Sequence, residues 1–210
     1  RLARANGWRL AVLGASAGLR WLAPLQNNDG SYGGSGGNAG ATLDTLLANR
    51  ALGGDAAAWK SATGSSLLDA LRTRASAYAA QGAAAAGKLA LGLAAADEDP
   101  HAFAGLNLVI SMTASFDTAT GAYGATNWDQ AFAMLGMRAS GEAVPSSAAT
   151  LLKGRANADG GWGFVAPGDS DKGVDDFLAR SFAEGSRALE AHARIGVVGF
   201  GEYRFENLTR

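Results

Sequence analysis

Apolar residues along this chain recur at the spacing of a helix, and the runs that carry them are interrupted by glycine-rich stretches. Trp8, Leu10, Val12, Leu13, Leu19, Trp21, Leu22 and Leu25 predict a first helix that ends near Pro24. The stretch from Gly30 to Gly40 reads as a loop. Leu43, Leu46 and Leu47 then set a helix over Thr42 to Leu52, which Gly53-Gly54 stops. Ser65 or Ser66 is placed to cap the next helix, whose buried stripe is Leu67, Leu71, Ala75 and Tyr78. Ala83 to Ala96 is almost entirely Ala, Gly and Leu, the composition of a helix enclosed by other helices.

Asp99-Pro100 reads as an N-cap followed by a first-turn proline, which predicts a helix running toward Phe116. Trp128, Ala131, Phe132 and Leu135 follow the i, i+3, i+4, i+7 rule and define a helix over Asn127 to Ala139. Val144-Pro145-Ser146 opens another. Val174, Phe177, Leu178 and Leu189 share one face of a helix over roughly 172–195. The period then changes: Tyr203 and Phe205 alternate with Glu202, Arg204 and Glu206, as in a half-buried strand. A single strand cannot satisfy its own backbone, so this tail is a candidate for pairing within the chain or with a partner. The expected organisation is a helical domain over 1–196 and a strand-like tail over 197–210.

Between the helices one signature returns, glycine followed at the second position by an aromatic. It occurs as Gly30-Ser31-Tyr32, Gly121-Ala122-Tyr123 and Gly160-Gly161-Trp162. Glycine supplies positive φ in a turn, and the aromatic is placed to wedge between neighbouring helices. Gln26, Asp29, Gly30, Tyr32, Gly121, Tyr123, Asp159, Gly160 and Trp162 are therefore assigned to turn structure. The pattern is that of a helical repeat protein.

Trp21-Leu22 with Gln26 and Gly30-Ser31-Tyr32 resembles the glutamine-tryptophan repeat of squalene and hopene cyclases, with Tyr in place of the final Trp. The copy from Leu151 to Trp162 keeps turn and aromatic but has Ala156 where the first has Gln26. In that superfamily, with its protein prenyltransferase β subunits and cobalamin carriers, such repeats build an α/α toroid of helical hairpins. Asp44-Thr45-Leu46-Leu47-Ala48 and Pro100-His101-Ala102-Phe103 look most like bacterial secreted proteins with prenyltransferase and squalene-oxidase repeats. The resemblance, over residues 8 to 195, implies an all-α toroid and an extracellular or cell-surface location. With room for four or five helix pairs where a full ring has about six, the ring is expected to be partial or open.

Composition narrows the functions. Of 210 residues, 18 are basic and 19 acidic, giving a net charge of −1 with neither sign in blocks, so nucleic acid is not an expected partner. No stretch reaches the ~20 apolar residues of a membrane-spanning helix. Cysteine is absent, which removes thiolate zinc sites, thioesters and thiol nucleophiles. His101 and His192 lack ligand-spaced partners, so no metal or cofactor is implied. Asp169, Asp171, Asp175 and Asp176 do not form the Asp-x-Asp-Asp acid of terpene cyclases, and Arg180 stands where a calcium loop needs glutamate. No Gly-x-Ser-x-Gly elbow or phosphate loop occurs.

No catalytic residue is assigned. Asp44, Trp128, Asp129 and Gln130 are the candidate ligand contacts, while Asp44 and Asp129 also suit helix N-terminal roles that hold turn amides. The leading expectation is a non-catalytic exported scaffold that engages a protein partner or assembles with itself, with a small-molecule ligand possible. The alternatives are a terpene cyclase-like or carbohydrate-active α/α-barrel enzyme, or a carrier similar to the cobalamin proteins.

Overall fold

The computed structural model describes residues 14–171 and is mostly helical. The expected helix over 172–195, the domain boundary at 196, the alternating tail, Asp175, Asp176 and His192 lie outside the described residues. Helical backbone over 14–22 passes into a short 3-10 turn at Ala23–Leu25, where Pro24 ends it. Six α-helices follow: α1 Ala39–Ala51, α2 Leu67–Ala79, α3 Ala83–Ala95, α4 Leu108–Ala114, α5 Asn127–Ala139 and α6 Ser146–Gly154. Extended pairing among the described residues is limited to isolated antiparallel bridges in the connections.

Most of these helices begin where a short polar side chain can replace a missing backbone partner. Asn38, Ser66, Asn107 and Thr126 each accept an N–H from the first turn of α1, α2, α4 and α5. Ser66 and Thr126 complete capping boxes with Asp69 and Asp129, whose carboxylates accept the cap residue's own N–H. Of the two serines that could have capped α2, Ser66 does so.

The core runs through α3. It packs against α1, α2, α4 and, most extensively, α5, so that α1, α3 and α5 form a continuous row with α2, α4 and α6 joined to it. Enclosure on several sides explains the small residues. Ala83, Ala86, Gly87, Ala90 and Gly92 are buried, and Leu89 and Leu93 are fully so. A methyl on Gly136 of α5 would lie 2.6 Å from Gly87 Cα and 2.8 Å from Met112 Sδ, and one on Gly87 would strike the Phe132 carbonyl. On the other side, a methyl on Gly92 would lie 2.6 Å from Leu43 Cδ2 of α1. Glycine is thus needed at Gly87 and Gly136 for close approach of two backbones. The surrounding leucines, at about 2 kcal/mol each when fully buried, supply the cohesion.

Two elements depart from the sequence reading. The helix expected from Pro100 toward Phe116 begins only at Leu108, because Phe103-Ala104-Gly105-Leu106 makes a tight turn in which Leu106 N–H donates to Phe103 O. Ala104 and Gly105 both have positive φ, 53° and 77°, which no helix tolerates. Asp99 accepts the His101 N–H in a local turn, and Asn107 caps α4. On α5, the buried positions are Asn127, Gln130, Ala131, Ala133, Met134, Gly136 and Met137, so of the expected stripe only Ala131 is fully inside. Trp128, Phe132 and Leu135 lie at the margin because α3, α4 and α6 all pack on this helix, and the closest face is set by small residues.

The glycine contact generates a stability prediction. Gly87→Ala and Gly136→Ala are each expected to cost about 3 kcal/mol by forcing the two helices apart. Thermal unfolding should register this as a fall of roughly 10 °C. Gly18→Ala, on exposed helical backbone with nothing near the added methyl, should instead be neutral or stabilising.

Candidate functional site

Two constructions could carry function: the glycine turns, and a strip of side chains across α1, α3 and α5. The turns share one hydrogen-bonding scheme. Asn27 N–H donates to Ser31 O at 2.9 Å and Gly30 N–H to Asn27 O at 2.9 Å. The same pair of bonds forms from Asn157 N–H to Gly161 O and from Gly160 N–H to Asn157 O. At 117–122 the turn is one residue longer, with Asp117 N–H donating to Ala122 O and Gly121 N–H to Asp117 O. A further turn escaped the sequence reading: Ser61 N–H donates to Ser65 O and Gly64 N–H to Ser61 O. Its signal was Gly64-Ser65, hidden because Ser66 stands where the others have an aromatic. Gly30, Gly64, Gly121 and Gly160 have φ between 78° and 93°.

Acidic side chains hold these turns. Asp29 Oδ1 accepts from Ser31 N–H at 3.0 Å and Ser31 Oγ–H at 2.6 Å, and Oδ2 pairs with the Arg74 guanidinium of α2. The Ser31 hydroxyl, with Arg74 adding to it, holds the Asp29 carboxyl down to about 2. Asp159 accepts from Gly161 N–H and Ser170 Oγ–H, and the first of these bonds lowers its carboxyl below the ordinary range. Gln26 Nε2 donates to Gly30 O at 2.9 Å, while its Oε1 is buried without a partner. The described part of the acidic stretch is bound to the last turn, through Ser170 to Asp159 and through Asp171 N–H to Trp162 O.

All three turn aromatics are buried, Tyr32 at 4 %, Tyr123 at 3 % and Trp162 at 6 % exposure. The polar side-chain atoms of Tyr32 and Trp162 are engaged inside the fold. Tyr32 O–H donates to Leu22 O and accepts from Trp59 Nε1–H, while burial pushes its phenol up from the ordinary value. Trp162 Nε1–H donates to Leu152 O at 2.8 Å. The Tyr123 ring lies 4.7 Å from that of Phe116.

The four candidate ligand contacts divide. Gln130 is fully buried, and its amide chiefly serves backbone: Oε1 accepts Tyr123 N–H at 2.9 Å, and Nε2 donates to Gly121 O at 2.9 Å and Ala148 O at 3.1 Å, with a weaker contact to Met134 Sδ at 3.9 Å. Asp129 is engaged in the capping box with Thr126. Asp44 does not hold turn amides; it lies in the second turn of α1, exposed, with Oδ1 2.6 Å from Lys88 Nζ of α3. Lys88 Nζ in turn stands 6.0 Å from the centre of the Phe132 ring, and Phe132 stacks on Trp128 at 5.1 Å. The structure therefore links Asp44 to Trp128 across three helices through Lys88 and Phe132, which the sequence reading left out.

Their spacing was the available signal. Asp44, Lys88 and Phe132 occupy the sixth position of helices that begin at Ala39, Ala83 and Asn127. Asn127 was also missed: fully buried, it donates Nδ2–H to Gly163 O at 2.8 Å and its own N–H to Phe164 O, fastening the last turn to α5. Among the described residues no cluster of His, Cys, Asp or Glu is arranged to hold a metal, and no helix is long and apolar enough to cross a membrane. Comparison with known proteins gave no matching family model, curated protein or solved structure.

Two outcomes follow from this geometry. Gln130→Leu should cost about 3 kcal/mol in urea unfolding because it strands buried backbone groups, whereas Asp44→Asn, losing an exposed ion pair, should cost less than about 1 kcal/mol. Asp29 has a folded-state value below its ordinary 3.8, so the stability it contributes is present above about pH 4 and lost as pH falls through that interval. Asp29→Asn should flatten the decline of the urea midpoint between about pH 4 and 2, and an unchanged slope would refute the role given to its carboxylate.

Proposed function

We propose that the chain is a non-catalytic α/α-toroid-type scaffold, a partial or open ring of helical hairpins, exported and acting through a protein partner or a second copy of itself. The burial of Tyr32, Tyr123 and Trp162 as wedges carries this reading, since it gives the most distinctive residues to stacking. The recurring turn bonds and the helices beginning at Ala39, Ala83 and Asn127 support a stack of like units. Export and the ring itself rest on the resemblance to squalene cyclase-type repeats. The strip from Asp44 through Lys88 and Phe132 to Trp128 is the proposed contact face, because it combines charge with aromatic area on neighbouring helices.

One observation favours a second reading, a small-molecule carrier: an ion pair beside stacked aromatic rings can hold a polar ring as well as a protein side chain. Native mass spectrometry with light scattering on the purified chain separates the two. The scaffold reading expects a defined oligomer or protein complex that Asp44→Ala with Lys88→Ala weakens about tenfold, with an unchanged circular dichroism spectrum. A monomer carrying a stoichiometric small molecule would overturn it in favour of the carrier.

A further inference from the structure

The connection between α3 and α4 is held down by charge at each of three consecutive acids. Asp97, itself at φ 60°, pairs with Arg50 of α1 at 2.7 Å, and Glu98 pairs with Arg72 of α2 at 2.9 Å. Arg72 also lies over the Phe103 ring at 5.4 Å. The third acid, Asp99, meets His101, and here the geometry differs. His101 Nδ1 is 2.9 Å from Asp99 Oδ1, and Nε2 is 3.2 Å from Glu142 Oε1 in the turn that follows α5.

An ionised carboxylate accepts hydrogen bonds and donates none, so both ring nitrogens must carry hydrogen for both contacts to be bonds. Only the imidazolium meets that condition. A neutral ring has one N–H and turns a lone pair toward the other carboxylate. The two contacts are not equivalent: Asp99 also accepts the His101 backbone N–H at 2.9 Å and is two residues away, which keeps it beside the ring. Glu142 is held to the ring only through its side chain, its own N–H being bonded to Met137 O.

We propose that His101 is a proton-operated clasp: when charged it ties the α3–α4 connection to the turn after α5, and on losing its proton it keeps Asp99 and releases Glu142. The charges bearing on the ring are Asp99 from its own segment and Glu142 from the neighbouring turn, and together they raise the imidazole above its ordinary 6.5, the Glu142 bond contributing most. A raised folded-state value means that the clasp is complete below about pH 6.5 and opens as pH rises through the folded-state value. The segment it restrains also carries Leu106, which lines an open groove of about 360 Å³ between α2 and α4 together with Ser76, Ala79 and Ser111.

The test is a proton NMR titration of the full chain, with the His101 ring assigned by its loss in His101→Gln, combined with amide exchange corrected for intrinsic rates. His101 is expected to titrate above 6.5 and to move down toward that value in Glu142→Gln. Protection of residues 100–106 should fall by about twofold or more between about pH 5.5 and 8.5 in the wild type, and be independent of pH in both variants. A ring that titrates at or below 6.5, or protection with the same pH dependence in Glu142→Gln, would overturn the clasp.

Discussion

The close passage of α3 against α5 governs much of what surrounds it. Where Gly87 meets the Phe132 carbonyl and Gly136 meets Gly87, the helices touch through backbone, with no side chain between them. That proximity has two consequences. It encloses α3 so completely that alanine and glycine are the residues that fit, and it brings the next residue, Lys88, over the Phe132 ring. The strip that joins Asp44 to Trp128 is therefore a product of the same contact that closes the core. A methyl group on either glycine would disturb both.

Turns supply the second constraint, and they divide polar residues by burial. Those inside the fold satisfy backbone: Gln130 ties the Tyr123 turn to α6, and Asn127 ties the Trp162 turn to α5. At the surface, carboxylates hold amides and hydroxyls, as Asp29 does with Ser31 and Asp159 with Gly161 and Ser170. An uncharged amide can be buried once its hydrogen bonds are made, whereas a carboxylate carries a large desolvation cost. The buried turn aromatics complete the scheme: Tyr32 and Trp162 bring apolar area with a polar tip that donates to a backbone carbonyl, and Tyr123 packs its ring against Phe116.

Much of the helical architecture was legible from residue order because short-range chemistry decides it. Asn127 to Ala139 emerged with its bounds intact, and Ser66 lay at one of two serines expected to cap α2. The connection after α3 was not legible in the same way. Asp99-Pro100 is a sound helix start, but Ala104 at φ 53° and Gly105 at φ 77° turn the chain back on itself, supported by Leu108 N–H donating to Pro100 O and by Arg72 over Phe103. The second of these supports joins α2 to the connection, between residues far apart in sequence. For the same reason the candidate ligand contacts are scattered in place: Gln130 belongs to the interior, and Asp44 and Trp128 are joined only through Lys88 and Phe132.

Residue order by itself determined that this chain is built from short helices, where glycine turns divide them, and that small residues mark a crowded helix. These outcomes follow from φ preference, capping and apolar period, which act within a few residues. Tertiary structure alone decided which face of α5 is buried, which helices touch through glycine, and which charged groups meet across 40 or more positions, as Asp44 meets Lys88 and His101 meets Glu142. Burial and pairing of that kind depend on what a helix is packed against, and that partner is chosen by the whole assembly of helices.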